Sequence, residues 1–363
     1  MSTTPSRRRT MFCCVAAVSA AAATTASLLV SLAGIGLAAP APPAAVEDPA
    51  GVKVISSGWN HPWGMSWLPD GSALITERDS FQVFRLTPSG VKTKVATVPH
   101  VVNTKPESGL RSLAVSPTWS TDHYVYLYHA AEEGNRIVRM TYDGSTLSDY
   151  TPLVTGIKKG GTNGGQIKFG PDGYLYATTG EASTSSDAQD KQSLNGKILR
   201  MTADGKPAPG NPFGTLLYSL GHRNSQGITW DAQGRLWETE IGHDGYDELN
   251  LIEPGMNYGW PTCEGSCSEA GMTDPKVQWR PVEAVPSGIT YVDGALYIGA
   301  LRGQRLWRVP LTGASVGTPT AHYVGQYGRL RTVEQVPGKA ALWITTDRAG
   351  KDKDLVLQVE LTQ

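Results

Sequence analysis

Six times along the chain, an apolar run stops at a tight polar turn and resumes as a second apolar run. Trp67-Leu68-Pro69-Asp70-Gly71 leads into Ala73-Leu74-Ile75, and Phe169-Gly170-Pro171-Asp172-Gly173 leads into Tyr174-Leu175-Tyr176. Trp230-Asp231-Ala232-Gln233-Gly234 leads into Arg235-Leu236-Trp237, and Tyr291-Val292-Asp293-Gly294 into Ala295-Leu296-Tyr297. Weaker copies run from Val115-Ser116-Pro117 to Tyr124-Val125-Tyr126 and from Val336-Pro337-Gly338 to Leu342-Trp343. Asp-Gly suits such a hairpin because its turn needs positive φ angles. A third alternating run follows in several copies, as in Arg136-Ile137-Val138-Arg139-Met140, Lys197-Ile198-Leu199-Arg200-Met201 and Arg305-Leu306-Trp307-Arg308-Val309. Alternation of this kind predicts half-buried strands. The copies begin near residues 64, 110, 166, 227, 288 and 331. That spacing fits one four-stranded unit per copy with variable loops. The pattern therefore predicts an all-β chain, a six-bladed β-propeller of four-stranded antiparallel blades. The segment Val52 to Ser56 is expected to add an outer strand to the last blade and close the ring. A β-sandwich with repeated hairpins leaves the six matched copies unexplained.

Composition narrows the picture. The 363 residues suit one large domain or two ordinary ones, and the repeat assigns 46–363 to a single propeller. With 41 Gly, 24 Pro, 10 Trp and 14 Tyr, the chain is rich in turn formers and strand aromatics. The 32 Lys and Arg nearly balance 33 Asp and Glu, which argues against a general nucleic-acid binder. Residues 1–45 read as an export signal with a Pro/Ala-rich linker: Arg7-Arg8-Arg9, an apolar run from Met11 to Leu37, then small residues. The alternative is a retained membrane anchor. No later run is long and apolar enough to span a membrane. A secreted or cell-envelope location is expected. Cys13 and Cys14 fall within the signal. Cys263 and Cys267, in Cys-Glu-Gly-Ser-Cys, read outside the cytoplasm as a small disulfide loop. Half of a zinc site is the other reading, without a second Cys or His pair nearby.

Candidate chemistry lies where the repeat is interrupted. Gly221-His222-Arg223-Asn224-Ser225-Gln226-Gly227 precedes the fourth copy. Glu240-Ile241-Gly242-His243-Asp244-Gly245-Tyr246-Asp247-Glu248-Leu249-Asn250 and Asn257-Tyr258-Gly259-Trp260-Pro261 follow it, and Gly328-Arg329-Leu330-Arg331 stands near the end. Together with Gly164-Gly165-Gln166 and the Pro-Asp-Gly hairpins, these strings resemble the soluble glucose/sorbosone dehydrogenases, and most nearly the PQQ-dependent aldose sugar dehydrogenases. The resemblance covers about Gly58 to Leu361. It implies oxidation of an aldose sugar to its lactone, by hydride transfer to the quinone with calcium assistance. PQQ is a flat quinone with three carboxylates, and such a ligand favours planar, bidentate arginines. The resemblance carries its cofactor-binding roles onto Arg223, Asn224, Arg329 and Arg331, with Glu107 facing the site; Arg302, in Leu301-Arg302-Gly303, is a candidate additional cation. The i, i+2 spacing of Arg329 and Arg331 places both on one strand face. Calcium takes oxygen ligands. By the same resemblance, the Gly242 and His243 carbonyls face the cofactor's calcium, while the Glu248 carboxylate and the Tyr258 carbonyl hold a neighbouring structural one. Electrons would leave to an external acceptor, because no haem-attachment string is present.

The chain departs from the family at the base. A His normally takes the sugar's hydroxyl proton, just before an Asn-Gly-Gly run. Here Thr162 precedes Asn163-Gly164-Gly165. A Thr hydroxyl is not a useful base near neutral pH, and losing a general base typically costs about 10²–10⁴ in rate. Glu181 stands where relatives often carry Asp after Thr-Gly, and is a conceivable substitute. Gln166, Arg111-Ser112 and Thr332 also differ from the family's usual residues. Three readings remain. The first is a PQQ enzyme with a relocated base. The second is a non-catalytic propeller that binds PQQ, calcium or carbohydrate. The third is a calcium-dependent sugar lactonase, for which the arginine set has no use.

Overall fold

The computed structural model describes residues 48–104, 108–348 and 353–362. They form six antiparallel sheets that follow one another along the chain. Blade one comprises Pro62–Trp67, Ala73–Glu77, Gln82–Leu86 and Lys92–Thr97. Blade two comprises Leu110–Val115, Tyr124–Ala131, Gly134–Tyr142 and Leu147–Ile157. Blade three runs Gly164–Phe169, Leu175–Thr179, Lys197–Met201 and Leu217–Leu220, and blade four runs Ser225–Trp230, Leu236–Glu240, Asp247–Ile252 and Val277–Trp279. In blade five, Pro286–Val292, Ala295–Ala300 and Arg305–Thr312 are followed by a split outer strand, Ser315–Val316 and Thr320–His322.

Blade six begins with Leu330–Gln335, Ala341–Thr346 and Asp354–Thr362. Its outer strand comes from the start of the described chain, where Asp48–Trp59 pairs antiparallel with Asp354–Thr362. The expected closing strand is therefore present and longer than Val52 to Ser56. First strands of neighbouring blades touch in ring order, with blade six meeting blade one. The molecule is a six-bladed propeller.

Burial follows from this arrangement. Each interface between neighbouring blades holds one apolar cluster, because each sheet buries both faces against its neighbours. Trp59 and Trp343 fill the interface of blades six and one, Trp237 and Trp279 that of four and five, and Tyr126 and Tyr128 that of two and three. The inner strands crowd the axis. A Cβ added at Gly64 would lie 2.5 Å from the Ser112 Cα of the next blade, so only glycine lets those backbones meet.

One device recurs in every blade. The pairing of first and second strands slips near its start, between Pro62 and Met65, Leu110 and Leu113, Gly164 and Ile167, Ser225 and Ile228, Pro286 and Ile289, and Leu330 and Val333. Such bulges bend a strand and re-aim its side chains. In several blades a second-strand Thr fastens the bulge. The Thr239 hydroxyl accepts from Gly227 N–H at 3.0 Å and donates to the Ser287 carbonyl of blade five at 2.6 Å. Thr345 likewise accepts from Thr332 N–H and reaches the Pro62 carbonyl of blade one.

Cys263 and Cys267 are joined in a disulfide. No helix among the described residues is long and apolar enough to cross a membrane. The expected export signal at 1–45 and Glu107 lie outside the described residues.

Candidate functional site

Antiparallel order puts two sets of loops at the same end of the propeller: those entering each first strand, and those joining second to third strands. Each of the six bulges between first and second strands lies at that end. So do Thr162, Glu181, Arg223, Asn224, Gly242, His243, Arg302, Arg329 and Arg331. Arg302, in the turn of blade five, is exposed.

Blades three and four bring the first group together. Glu181 N–H donates to the Arg223 carbonyl at 2.8 Å, and Gly164 N–H to the Asn224 side-chain oxygen at 3.0 Å. The Thr162 hydroxyl donates to Glu181 Oε1 at 2.9 Å, and both residues are buried. This contact exists because the loops touch: Ala182 N–H donates to the Thr162 carbonyl at 2.9 Å. A side chain at Gly180 would collide with that same carbonyl. Ala182 and Ser183, directly after Glu181, both hold positive φ, at 54° and 64°. Non-glycine residues adopt this region at a cost of order 1 kcal/mol or more. Beneath them, Asn163 Oδ1 accepts from Asn135 at 2.9 Å, and Asn135 Oδ1 accepts from the buried Arg111 at 3.0 Å. The departure at Arg111-Ser112 is thus built into the floor. Arg111 also donates to the Gly164 carbonyl at 2.7 Å, and Ser112 to the Gly165 carbonyl at 2.5 Å.

Blades six and one hold the second group around Asp347. Arg331 reaches Asp347 Oδ2 through Nε at 3.0 Å and Nη2 at 2.7 Å, and Arg329 reaches the same oxygen at 3.3 Å. The two arginines do share a face, although Arg329 stays 43% exposed and Arg331 is buried. The Arg331 guanidinium lies 3.4 Å from the centre of the Trp63 ring. His61 Nδ1 lies 3.0 Å from Asp347 Oδ1. Its hydrogen bond to Asp347 raises the His61 pKa above the ordinary 6.5. Burial alone would raise the Asp347 carboxyl, but Arg331, His61 and Arg329 together hold it well below the usual carboxylate range.

Blade four carries the third group. The Arg223 guanidinium donates to the Ile241 carbonyl at 3.1 Å and to the Gly242 carbonyl, and lies 3.2 Å from His243 Nδ1. Its Nε is buried without a hydrogen-bond partner among the described residues. Glu264 Oε1 accepts from His243, Gly245 and Tyr246 N–H and so shapes this loop. Deeper, Glu238, Glu240 and Glu248 are all buried. Asn250 donates to Glu238 and to Glu248, each at 3.1 Å, and Gly265 N–H donates to Glu248 at 2.6 Å. Burial, with repulsion from Glu240, pushes Glu248 up to about 8 and Glu238 well above its ordinary value. Among the described residues, Glu238 Oε1 and Asn250 Oδ1 are buried without hydrogen-bond partners. His222 is fully buried, lies 2.8 Å from Glu240, and stacks on the Tyr258 ring at 4.9 Å. Its imidazole is packed away inside the blade.

Asp347, Trp63, Glu240 and Glu264 were not among the residues singled out from the sequence. A signal for some of them was present. Thr76-Glu77, Thr179-Gly180-Glu181, Thr239-Glu240 and Thr346-Asp347 each put an acid within two residues of a Thr at the end of a second strand.

A family model described as Glucose / Sorbosone dehydrogenase matches residues 59–357. Among solved structures, the PQQ-bound form of an aldose sugar dehydrogenase from Streptomyces coelicolor is similar at 46% identity and a TM-score of 0.82, covering 86% of this chain and 100% of that one. An aldose sugar dehydrogenase of Escherichia coli is 27% identical over 360 residues, which span 88% of this chain and 95% of that protein. Quinoprotein glucose dehydrogenase B of Acinetobacter calcoaceticus is 31% identical over 257 residues, which span 60% of this chain and 54% of that protein.

Proposed function

The chain belongs to the glucose/sorbosone dehydrogenase family, and from that premise we propose that it oxidises an aldose sugar to its lactone, with PQQ and calcium held at the loop-rich end of the propeller. One observation carries the reading: Arg223 and Asn224 of blade four and Arg329 and Arg331 of blade six stand at the same end of the propeller. The donor set fits a tricarboxylate. Arg223 has a buried Nε with no hydrogen-bond partner among the described residues, and Arg329 is partly exposed beside the fixed Arg331. Bound PQQ would supply the acceptor for the sugar's hydride. This chain's residues bind and orient: the arginines pair with carboxylates, and Asp347 and Trp63 hold Arg331 in register. Arg302 is a further cation on the rim.

Calcium fits as well. The Gly242 and His243 carbonyls would face the cofactor's ion, and the Gly242 carbonyl already accepts from a cationic group, Arg223. The Glu248 carboxylate and the Tyr258 carbonyl would hold a second ion. The buried, unpartnered oxygens of Glu238 and Asn250 beside Glu248 are the kind of donors a hard cation takes. Electrons would pass to an external acceptor, and the protein would act outside the cytoplasm after export by residues 1–45.

The test uses the purified protein with calcium. Added PQQ is expected to bind at micromolar levels with a shifted absorption spectrum, and aldoses then reduce a dye. Absence of binding overturns the cofactor assignment. Binding without dye reduction by a panel of aldoses leaves a binding propeller, not a dehydrogenase.

A further inference from the structure

We propose that Thr162 and Glu181 form a proton-accepting pair, in which the Thr162 hydroxyl passes the substrate's proton to the Glu181 carboxylate. The inference rests on the oxidation proposed above, since removing a hydride from an alcohol carbon also requires a place for the hydroxyl proton. Among the acids and histidines described above at this end, the others are engaged. His61 and Asp347 hold each other, His243 contacts Arg223, and Glu264 accepts three backbone N–H groups. Glu240 accepts from Arg223 N–H and lies against His222. Glu181 receives only the Thr162 hydroxyl, at 2.9 Å, and its other carboxylate oxygen takes no hydrogen bond among the described residues.

The pair is also built in. Ser183 N–H lies 3.4 Å from the Thr162 hydroxyl, Gly161 N–H donates to the Ser183 hydroxyl at 3.0 Å, and Glu181 N–H ties the loop to the Arg223 carbonyl. A hydroxyl that donates to a carboxylate keeps two acceptor lone pairs; Ser183 N–H faces one, and the other can accept from a substrate O–H. The step balances. The substrate O–H breaks and a new O–H forms on Thr162, while the Thr162 proton moves to Glu181 Oε1. The hydride would leave the same carbon, with bound PQQ supplying its acceptor as in the proposed function, and the carbon–oxygen single bond would become double. Thr162 is the group that meets substrate, and Glu181 acts through it.

Isosteric variants test this. With PQQ and calcium, E181Q and T162V are expected to lower kcat by about 10²-fold or more with KM and the PQQ absorption titration unchanged. T162S, which keeps the hydroxyl, stays within a few-fold of wild type, and E181D recovers part of the loss. A second readout needs no cofactor. The carboxylate band found in the infrared difference between wild type and E181Q should shift in T162V and not in T162S. Wild-type kcat in E181Q, or a band indifferent to T162V, overturns the pair even if PQQ binds and turns over. Failure of the wild type to bind PQQ overturns the oxidation reading itself, and the pair's role with it.

Discussion

Asp347 is a buried carboxylate with three cationic neighbours, and its energetics differ from those of a surface ion pair. Arg331, itself buried, has no water to fall back on if that carboxylate is neutralised. Breaking a buried pair by removing one partner typically costs about 3–5 kcal/mol, because the other charge is left uncompensated. Asp347→Asn is expected near the lower figure, since Arg331 keeps its stacking on Trp63. The pH dependence has a definite sign. Asp347 is depressed in the folded state, so its contribution is present above the ordinary 3.8 and fades as pH falls below it. His61 is raised, so its contribution is complete below the ordinary 6.5 and fades as pH rises through its folded value. The urea-unfolding gap between wild type and Asp347→Asn should therefore be widest between pH 3.8 and 6.5 and narrow on both sides. A gap that stays flat with pH would show that these protonation equilibria are not coupled to folding.

Strands were legible because each blade is covered on both faces and its hairpins repeat the same turn chemistry. Trp67 to Ile75 and Tyr291 to Tyr297 announce a strand, a turn and a strand without help from the rest of the chain. The bulges were not legible. A one-residue slip shifts the alternation without leaving a residue type of its own, and Thr239 or Thr345 reads as an ordinary strand former. Arginines 223, 329 and 331 stood out because they interrupt the repeat. Asp347 did not, because an acid after a strand reads as solvated until a buried arginine is found beside it. The Cys263–Cys267 pairing was readable from adjacency, and the zinc alternative falls with the disulfide. Blade four shows what the pattern conceals. Glu238, Glu240 and Glu248 look like the polar side of alternating strands, yet all three are buried and repel one another. A divalent cation would relieve that repulsion. At roughly a hundredfold its dissociation constant, an ion bound only by the folded state adds about 2.7 kcal/mol. Calcium is thus expected to raise the melting temperature of the cofactor-free protein, a chelator to lower it, and Glu248→Gln to lose most of the response. A wild-type melting temperature indifferent to both would show that protons, not calcium, neutralise these acids.

The chain passes from Asp48–Trp59 in blade six straight into blade one at Pro62, so closure depends on what holds that strand and its neighbours to both blades. Here one bridge is Asp48–Trp59, which covers the open edge of Asp354–Thr362. Another is the pair of His61 of blade one and Asp347 of blade six, 3.0 Å apart. The strand contributes more than backbone pairing. Trp59 is fully buried, packs edge-to-face on Phe84 of blade one at 5.6 Å, and shares a cluster with Trp343 of blade six. Losing a buried Trp alone costs about 3–5 kcal/mol, and an uncovered Asp354–Thr362 offers unpaired N–H and C=O groups to another chain. The site depends on the same closure, because His61 and Trp63 enter from blade one while Asp347, Arg329 and Arg331 enter from blade six. A chain beginning at residue 60 should therefore melt at lower temperature, self-associate in light scattering as concentration rises, and bind PQQ more weakly. A peptide spanning 48–59 added in excess should reverse all three, because it restores the missing strand without changing any residue of the site. A truncated chain that stays monomeric and melts with the full-length protein would mean that the ring closes by its inner strands alone.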